Sequence, residues 1–294
     1  MSRCGSEAVG EEADPTSGVS PVWKELGFKD MPKYTHKTDK FILYQAAVQS
    51  PDCEAEFVDR VYWNEYGTRA ALFREDFCGT QLISCEWVKL RPKNVAYGVD
   101  LHKPTLAWGL KHNISRLPPR QAARVHQVRQ DVRHVITPKV HLVGAFNFSY
   151  FIFKRRRDLL AYFTAVRKSL LPRGLFVCDA YGGWESQQVI KEKTRLKGFT
   201  YVWEQSAYNP INDHTMCHIT FKFPNGKSIK RAFTYDWRLW TLGEIQDALI
   251  DAGFARTEVY WEDEDKNGDG NGVYRVRKKA DNSPGWNAYI VAVP

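Results

Sequence analysis

The apolar and polar positions divide the chain into three regimes. From Lys40 onward Phe41, Tyr44, Ala47 and Val48 recur at helical spacing, Ser50-Pro51 interrupts them, and Phe57, Val58 and Val61 resume the period. Two helices are therefore predicted over about residues 40–70. Residues 71–76 form an apolar run that ends in Glu75 and Asp76, a small-residue corner follows at 77–81, and residues 82–88 return to helical spacing. That is a strand, a tight turn and a helix. The same alternation repeats with a strand at 95–100, then a helix with Pro104 near its start and Leu106, Leu110, Ile114 and Leu117 on one face. A weaker strand at 123–130 closes at Asp131, and an apolar stretch at 142–153 is broken by Asn147 and Ser149. A helix carrying Leu159, Leu160, Phe163, Val166 and Leu170 stops at Pro172-Arg173-Gly174, before a strand at 175–179. Four such alternations with short connections predict an α/β fold: a largely parallel sheet, right-handed crossovers and helices on both faces.

The rhythm changes after Gly182. Residues 200–204, 216–223 and 228–235 read as antiparallel strands, with 224–227 as a hairpin turn. Thr241 and Glu244 fit a capping box that opens a helix with Ile245 and Leu249 inward and Gly253 as its stop. Strands near 257–261 and 287–293 close the chain. The predicted organisation is a flexible tail at 1–20, rich in Gly, Ser, Glu and Pro, followed by a single domain at 21–294. Within it lie the N-terminal helices, an α/β half at 71–182, a β insertion at 183–240, and the C-terminal helix and strands at 241–294.

Composition narrows the class. A chain of 294 residues matches one core, which stops growing at roughly 250–300 residues. Hydrophobic residues at 43% and charged residues at 26% exclude wholesale disorder. The net charge of +8 points to nucleic acid only if clustered. The densest run, Lys154-Arg155-Arg156-Arg157, and the group Arg275, Arg277, Lys278 and Lys279 read as solvated faces or helix starts. Six cysteines without a C-x-x-C pair predict reduced thiols. No stretch approaches the roughly 18 apolar residues of a membrane span. Glu7, Glu11, Glu12 and Asp14 argue against an Arg-rich leader, so a cytoplasmic protein without membrane partners is expected.

Three carboxylates fall at the ends of successive predicted strands: Glu75 or Asp76, Asp100, and Asp131. An acid about 20 residues past a first strand–turn–helix is where dinucleotide folds bind ribose hydroxyls, and the helix start offers N–H groups to a nucleotide-like ligand. In the β insertion, His214 and His218 share a strand face, but with no third ligand no metal site is expected. His218 is either a general base or an ordinary hydrogen-bonded strand histidine. Asp236 and Arg238 suggest an ion pair, or Arg238 a clamp on an acceptor anion. Asp265, Asn267, Asp269 and Gly270 look like a calcium loop, yet Val276 stands where the bidentate Glu belongs, so a polar turn between the last two strands is expected.

The stretches Glu75-Asp76-Phe77-Cys78-Gly79-Thr80, Gly98-Val99-Asp100, Asp131-Val132, Asn147-Phe148-Ser149-Tyr150 and Leu171-Pro172-Arg173-Gly174-Leu175-Phe176 resemble, in order and spacing, the motifs of class I S-adenosylmethionine-dependent methyltransferases. The resemblance spans residues 60–294 and looks closest to a branch with Arg-Glu-Asp-Phe-Cys-Gly-Thr in the first motif. It implies a seven-stranded Rossmann-like sheet whose last strand is antiparallel, a late antiparallel β insertion over the acceptor, and S-adenosylmethionine as cofactor. By the resemblance, Glu75 helps to hold the methionine ammonium and Gly79 and Thr80 form the turn beneath it. Asp100 takes the ribose diol, Leu101 and His102 flank the adenine, and Asp131 and Val132 contact it. Asn147, Ser149 and Tyr150 stand where cofactor and acceptor meet. Phe77 and Gln81 replace family glycines, which implies a locally different turn with the Phe77 ring against the cofactor. Tyr44 and Gln49 are candidates to close over it.

The function expected is in-line methyl transfer to a small-molecule acceptor. Its catalytic candidates are His218, Tyr150 and Asp236, among insertion residues Trp203, Glu204, Tyr208, Tyr235, Trp237, Arg238 and Trp240, whose aromatic faces suit a sulfonium. RNA or protein as acceptor, and a non-enzymatic cofactor-binding protein, are the two alternatives. No oligomeric state is implied.

Overall fold

Two helices lead into the sheet. α1 (Lys40–Val48) opens on Asp39, whose side chain accepts the N–H of Phe41, and α2 (Pro51–Tyr66) starts on Pro51 and stops at left-handed Gly67. The computed structural model describes residues 34–266 and 270–294, so the tail expected at 1–20 and the lookalike residues Asn267 and Asp269 lie outside the described residues.

The alternating segment follows as β1 (Leu72–Asp76), α3 (Leu82–Leu90), β2 (Val95–Val99), α4 (Lys103–His112), α5 (Pro119–Ala122), β3 (Val125–Val128), β4 (Val140–Ala145), α6 (Arg156–Ser169) and β5 (Leu170–Gly182). α4 is shorter than its apolar spacing suggests. Asn113 ends it by turning its amide back to the Thr80 carbonyl, Ile114 is buried in a short 3-10 turn, and Leu110 is left 51% exposed.

β10 (Arg256–Glu264), β11 (Gly270–Val276) and β12 (Trp286–Val293) complete an eight-stranded sheet in the order β11-β10-β12-β5-β4-β1-β2-β3. β1 to β5 are parallel, and β12 runs antiparallel between β5 and β10. Eight strands replace the expected seven because β11 folds back on β10 as an extra edge. Its Gly270, Asn271 and Gly272 read as turn residues. β5 also begins earlier than expected. The register jumps from Val140 opposite Leu170 to Leu142 opposite Leu175, so Pro172 and Arg173, which are exposed, bulge out of the ladder instead of ending the helix.

Residues after β5 form a second, antiparallel sheet of β6 (Ile190–Leu196), β7 (Phe199–Asn209), β8 (His214–Lys222) and β9 (Ser228–Arg238), paired in chain order. The predicted hairpin joins β8 to β9, with Gly226 left-handed and the Phe223 N–H donating to the Lys227 carbonyl. α7 (Leu242–Asp251) has the full capping box: Thr241 Oγ1 accepts from the Glu244 N–H, and the Glu244 carboxylate accepts from the Thr241 N–H.

Each face of the large sheet carries its own core. One holds Phe57, Trp87, Leu142 and Val177; the other runs from Phe163, Phe176 and Leu249 into Tyr201, Trp203, Ile219, Phe221 and Trp237 of the small sheet. The small sheet is thus fastened by its aromatic face, each fully buried large side chain contributing about 1.5–3 kcal/mol. Inside β1 the side chains of Arg74 and Asp76 are fully enclosed as an ion pair, and the Tyr162 hydroxyl donates to Asp76 Oδ2 at 3.0 Å. Cys53, Cys78, Cys85, Cys178 and Cys217 are unbridged. Among the described residues no helix is long and apolar enough to cross a membrane.

Candidate functional site

The strand order reverses between β4 and β1, so the carboxyl ends of β1, β2, β3, β4 and β5 face one crevice beside this switch point. The turn after β1 uses left-handed backbone three times, at Phe77, Gly79 and Gln81. Glycine does this freely, whereas the other two cost about 1 kcal/mol each. The neighbours hold the path: Cys78 N–H donates to the Val99 carbonyl at 3.0 Å, Gly79 N–H to Asp100 Oδ2 at 2.9 Å and Gln81 N–H to the Cys78 carbonyl at 2.8 Å. Phe77 thus holds a left-handed conformation of the kind that favours glycine, and its ring packs on Phe153 and Tyr162. Gln81 is fully buried over Gly98, where an added Cβ would lie 2.0 Å from Gln81 Nε2. Thr80 is braced on two sides, by Gln45 Nε2 donating to Oγ1 at 2.9 Å and by Asn113 at its carbonyl.

Glu75 is enclosed at the start of α3, accepting from the Ser84 N–H at 2.8 Å and from the Ser84 hydroxyl; burial pushes its carboxyl up to about 8. Asp100 accepts from Gly79 through Oδ2 and from the His102 N–H through Oδ1 at 2.8 Å. It is only half-buried, and each carboxylate oxygen that takes one N–H keeps a further lone pair able to accept. Asp131 closes on Arg133, whose guanidinium and N–H hold it below the usual carboxylate range. Val132 is buried and Leu101 is 60% exposed beside Asp100.

At the ends of β4 and β5, Asn147 and Phe148 are both left-handed, and their N–H groups donate to Asp179 Oδ2 and Oδ1 at 2.6 and 2.8 Å. Burial pushes the Asp179 carboxyl up to about 7 against these bonds. Ser149 Oγ donates to the Phe146 carbonyl. Tyr150 is fully buried and donates its hydroxyl to the Asp179 carbonyl at 2.7 Å, so it does not open onto the crevice.

Two acids here escaped the sequence reading. Asp179 is the fourth strand-end acid and obeys the rule that singled out Asp100. Glu54 is 8% exposed on the apolar face of α2, next to Ala55 and Val58, and its Oε2 is buried without a hydrogen-bond partner. Burial, then Asp179, Glu75 and Asp52, raise its carboxyl well above the ordinary value. An acid interrupting an apolar helix stripe was the available signal.

The small sheet meets the crevice with aromatics. Tyr235 stacks on Trp237 at 4.4 Å, Trp237 lies beside Tyr181 and Phe148, and the Tyr235 and Tyr44 hydroxyls are hydrogen-bonded to each other. His218 and Asp236 alternate onto the opposite face of their strands. His218 Nδ1 meets Thr234 Oγ1 at 2.9 Å, with Glu204 and Arg231 nearby, and Asp236 pairs with Lys154. The structure therefore does not bring His218, Tyr150 and Asp236 together. Arg238 pairs with Glu244 at 2.7 Å, not with Asp236, and lies over Trp240. Tyr208 donates to Asp213. Lys154, Arg155 and Arg156 of the basic run engage Asp236, Asp158 and Asp251. Among the described residues no group of three or more His, Cys, Asp or Glu is placed to hold a metal.

This edge is acidic: Glu54, Glu75 and Asp179 lie close enough for Glu54 to feel the other two, and Glu75 also feels Asp100. A ligand bearing positive charge relieves that repulsion, and the remaining lone pairs of the two Asp100 oxygens suit a diol. S-adenosylmethionine, with an ammonium to set against Glu75 and a ribose to set against Asp100, fits both features.

No family model and no curated protein sequence matches the chain. Solved structures do match. An S-adenosylmethionine-dependent methyltransferase from Clostridium acetobutylicum aligns over 86% of this chain and 98% of its own, with a TM-score of 0.62 at 19% identity. CalS10, an amino pentose methyltransferase from Micromonospora echinaspora solved with S-adenosylmethionine bound, covers 90% of this chain and 100% of its own, with a TM-score of 0.61 at 16% identity. The sugar N-methyltransferase KedS8 from Streptoalloteichus covers 98% and 99%, with a TM-score of 0.57 at 16% identity. The fold of this chain is that of the S-adenosylmethionine-dependent methyltransferases, with an added edge strand and a four-stranded cover.

Proposed function

We propose that the protein transfers a methyl group from S-adenosylmethionine to a small-molecule acceptor. The observation that carries this is Asp100, tied by one oxygen to the Gly79 N–H and by the other to the His102 N–H, yet half-buried at the end of β2. The bonds fix the carboxylate and leave each oxygen a lone pair, which we assign to a ribose diol. Glu75 supplies negative charge toward the methionine ammonium, and Gly79 and Thr80 form the floor of the turn. Leu101, Val132 and Asp131 border the adenine, and Asn147 and Ser149 line the meeting point of cofactor and acceptor. Phe77 supports the turn from behind, with its ring on Phe153 and Tyr162.

The cofactor when bound supplies an electrophilic methyl group on a positively charged sulfur. The protein's own task is alignment and exclusion of water. The small sheet serves that task by laying Tyr235 and Trp237 over the strand ends, with Tyr235 latched to Tyr44 of α1. Sugar-methylating structural neighbours favour a small acceptor. RNA is disfavoured because three residues of the basic run are engaged in ion pairs.

Isothermal titration with S-adenosylhomocysteine tests the proposal. Saturable binding at one site per chain is expected, and no heat of binding from folded protein ends it.

A further inference from the structure

Glu54 has no task in cofactor binding as proposed above, and its surroundings are unusual. Its Oε2 is buried without a hydrogen-bond partner, and the groups that act on it most strongly are other acids, Asp179, Glu75 and Asp52. An isolated buried carboxylate costs several kcal/mol unless it is neutralised or paired. Glu75 satisfies its own oxygens on Ser84, and Asp179 accepts two N–H groups. Glu54 is the acid left with an empty acceptor position.

The neighbouring wall is aromatic. Tyr44 lies close enough to Glu54 and Asp179 to feel both, and its hydroxyl is hydrogen-bonded to that of Tyr235. Tyr181, directly after Asp179 and Ala180 on β5, packs on Phe148 at 4.7 Å and extends this wall toward Trp237. Half-buried tyrosine rings beside carboxylates form a setting for an organic cation.

From this juxtaposition we infer that the acceptor is an amine, with its nitrogen held between the Glu54 and Asp179 carboxylates and against the Tyr44, Tyr181 and Tyr235 rings. The assignment rests on the methyl-transfer function proposed above. An amine arrives as its ammonium form, which pairs with Glu54. Asp179 accepts one N–H proton, leaving a neutral nitrogen with a lone pair. That pair forms the bond to the methyl carbon as the carbon–sulfur bond breaks and its electrons return to sulfur. The products are the methylated ammonium and S-adenosylhomocysteine, and the proton on Asp179 passes to solvent. The raised Asp179 carboxyl, near 7, suits a group that must both take and release a proton near neutrality.

The test uses the full chain, methyl-labelled S-adenosylmethionine and the low-molecular-mass fraction of yeast extract. Half of that fraction is treated with an amine-selective acetylating reagent. Label is expected in the untreated half, on nitrogen by fragmentation mass spectrometry, and reduced at least about tenfold in the acetylated half. Glu54→Gln should lower incorporation by about tenfold or more. It should also abolish the rise in melting temperature that the untreated fraction gives in the presence of S-adenosylhomocysteine. Its titration with S-adenosylhomocysteine alone should match the parent protein. Label on oxygen, carbon or sulfur, equal label in the acetylated half, or no label from protein that binds S-adenosylhomocysteine overturns the inference. So does a Glu54→Gln protein that loses S-adenosylhomocysteine itself, which would assign Glu54 to the methionine ammonium. Absence of S-adenosylhomocysteine binding by the parent protein instead defeats the methyl-transfer function as a whole.

Discussion

Asp179 and Asn147 hold each other in place: the Asn147 N–H donates to Asp179 Oδ2 at 2.6 Å while Asn147 sits at φ 57, and Phe148 repeats the pattern on Oδ1. Removing the carboxylate strands two N–H groups in a left-handed turn. Asp179→Ala is expected to cost about 2–4 kcal/mol in urea denaturation. Asp179→Asn should cost less, since its one oxygen can still accept. A loss below about 0.5 kcal/mol for the alanine variant would mean that the turn holds itself.

Among the raised carboxyls, Glu75 at about 8 and Asp179 at about 7 set a pH dependence near neutrality. Their unfolded counterparts release protons near pH 4, so between about pH 4 and about pH 8 the native state binds more protons and stability falls as pH rises. Urea midpoints across this window should show the decline, and Glu75→Gln should flatten its upper part. Cationic S-adenosylmethionine favours the ionised carboxylates. Its affinity should rise from about pH 6 to about pH 9, with proton release detectable by calorimetry in buffers of different ionisation enthalpy. Proton uptake on binding would contradict this.

Asp100→Ala should weaken S-adenosylhomocysteine binding by about 2–3 kcal/mol, roughly 30- to 150-fold, because a charge-assisted pair of bonds to the ribose is lost along with support for Gly79 and His102. An unchanged dissociation constant would remove Asp100 from the site.

The Arg74–Asp76 pair is buried with both side chains fully enclosed. Arg74→Met strands the carboxylate and is expected to cost about 3–5 kcal/mol, whereas Arg74→Met combined with Asp76→Leu should recover much of that. Equal losses in the single and double variants would show that the charge pair is not the cause.

Phe77→Gly relieves about 1 kcal/mol of left-handed strain but forfeits a half-buried ring on Phe153 and Tyr162. A net destabilisation of about 1–2 kcal/mol is expected, with S-adenosylhomocysteine affinity within about threefold. A large drop in affinity would place the ring on the cofactor.

The parallel half was legible because each apolar run ends in a turn signal and each helix shows its own period. β6 was not, since Lys191, Glu192, Lys193 and Arg195 leave an exposed edge strand with no apolar face to read. β11 was hidden by its glycines. At the site, Glu75, Asp100 and Asp131 stood out as acids closing short strands. Asp179 closes the strand predicted at 175–179 and obeys the same rule, but it was not carried onto the site, and in the structure β5 continues past it to Gly182. His214 and His218 show how far alternation reaches: it states that they share a face, but not that the opposite face, with Trp203 and Trp237, is the one the core claims. Only the packing of the two sheets decides that.

The strands of the small sheet follow one another without interruption from Ile190 to Arg238, and none is paired with a strand of the large sheet among the described residues. In genetic terms this cover is a cassette. A single continuous segment can be exchanged, or can drift, while Glu75, Asp100 and Asp131 stay untouched on a different stretch of the gene. Under the function proposed above, one recombination event can replace the wall that Tyr235 and Trp237 lay over the strand ends and leave those acids in place.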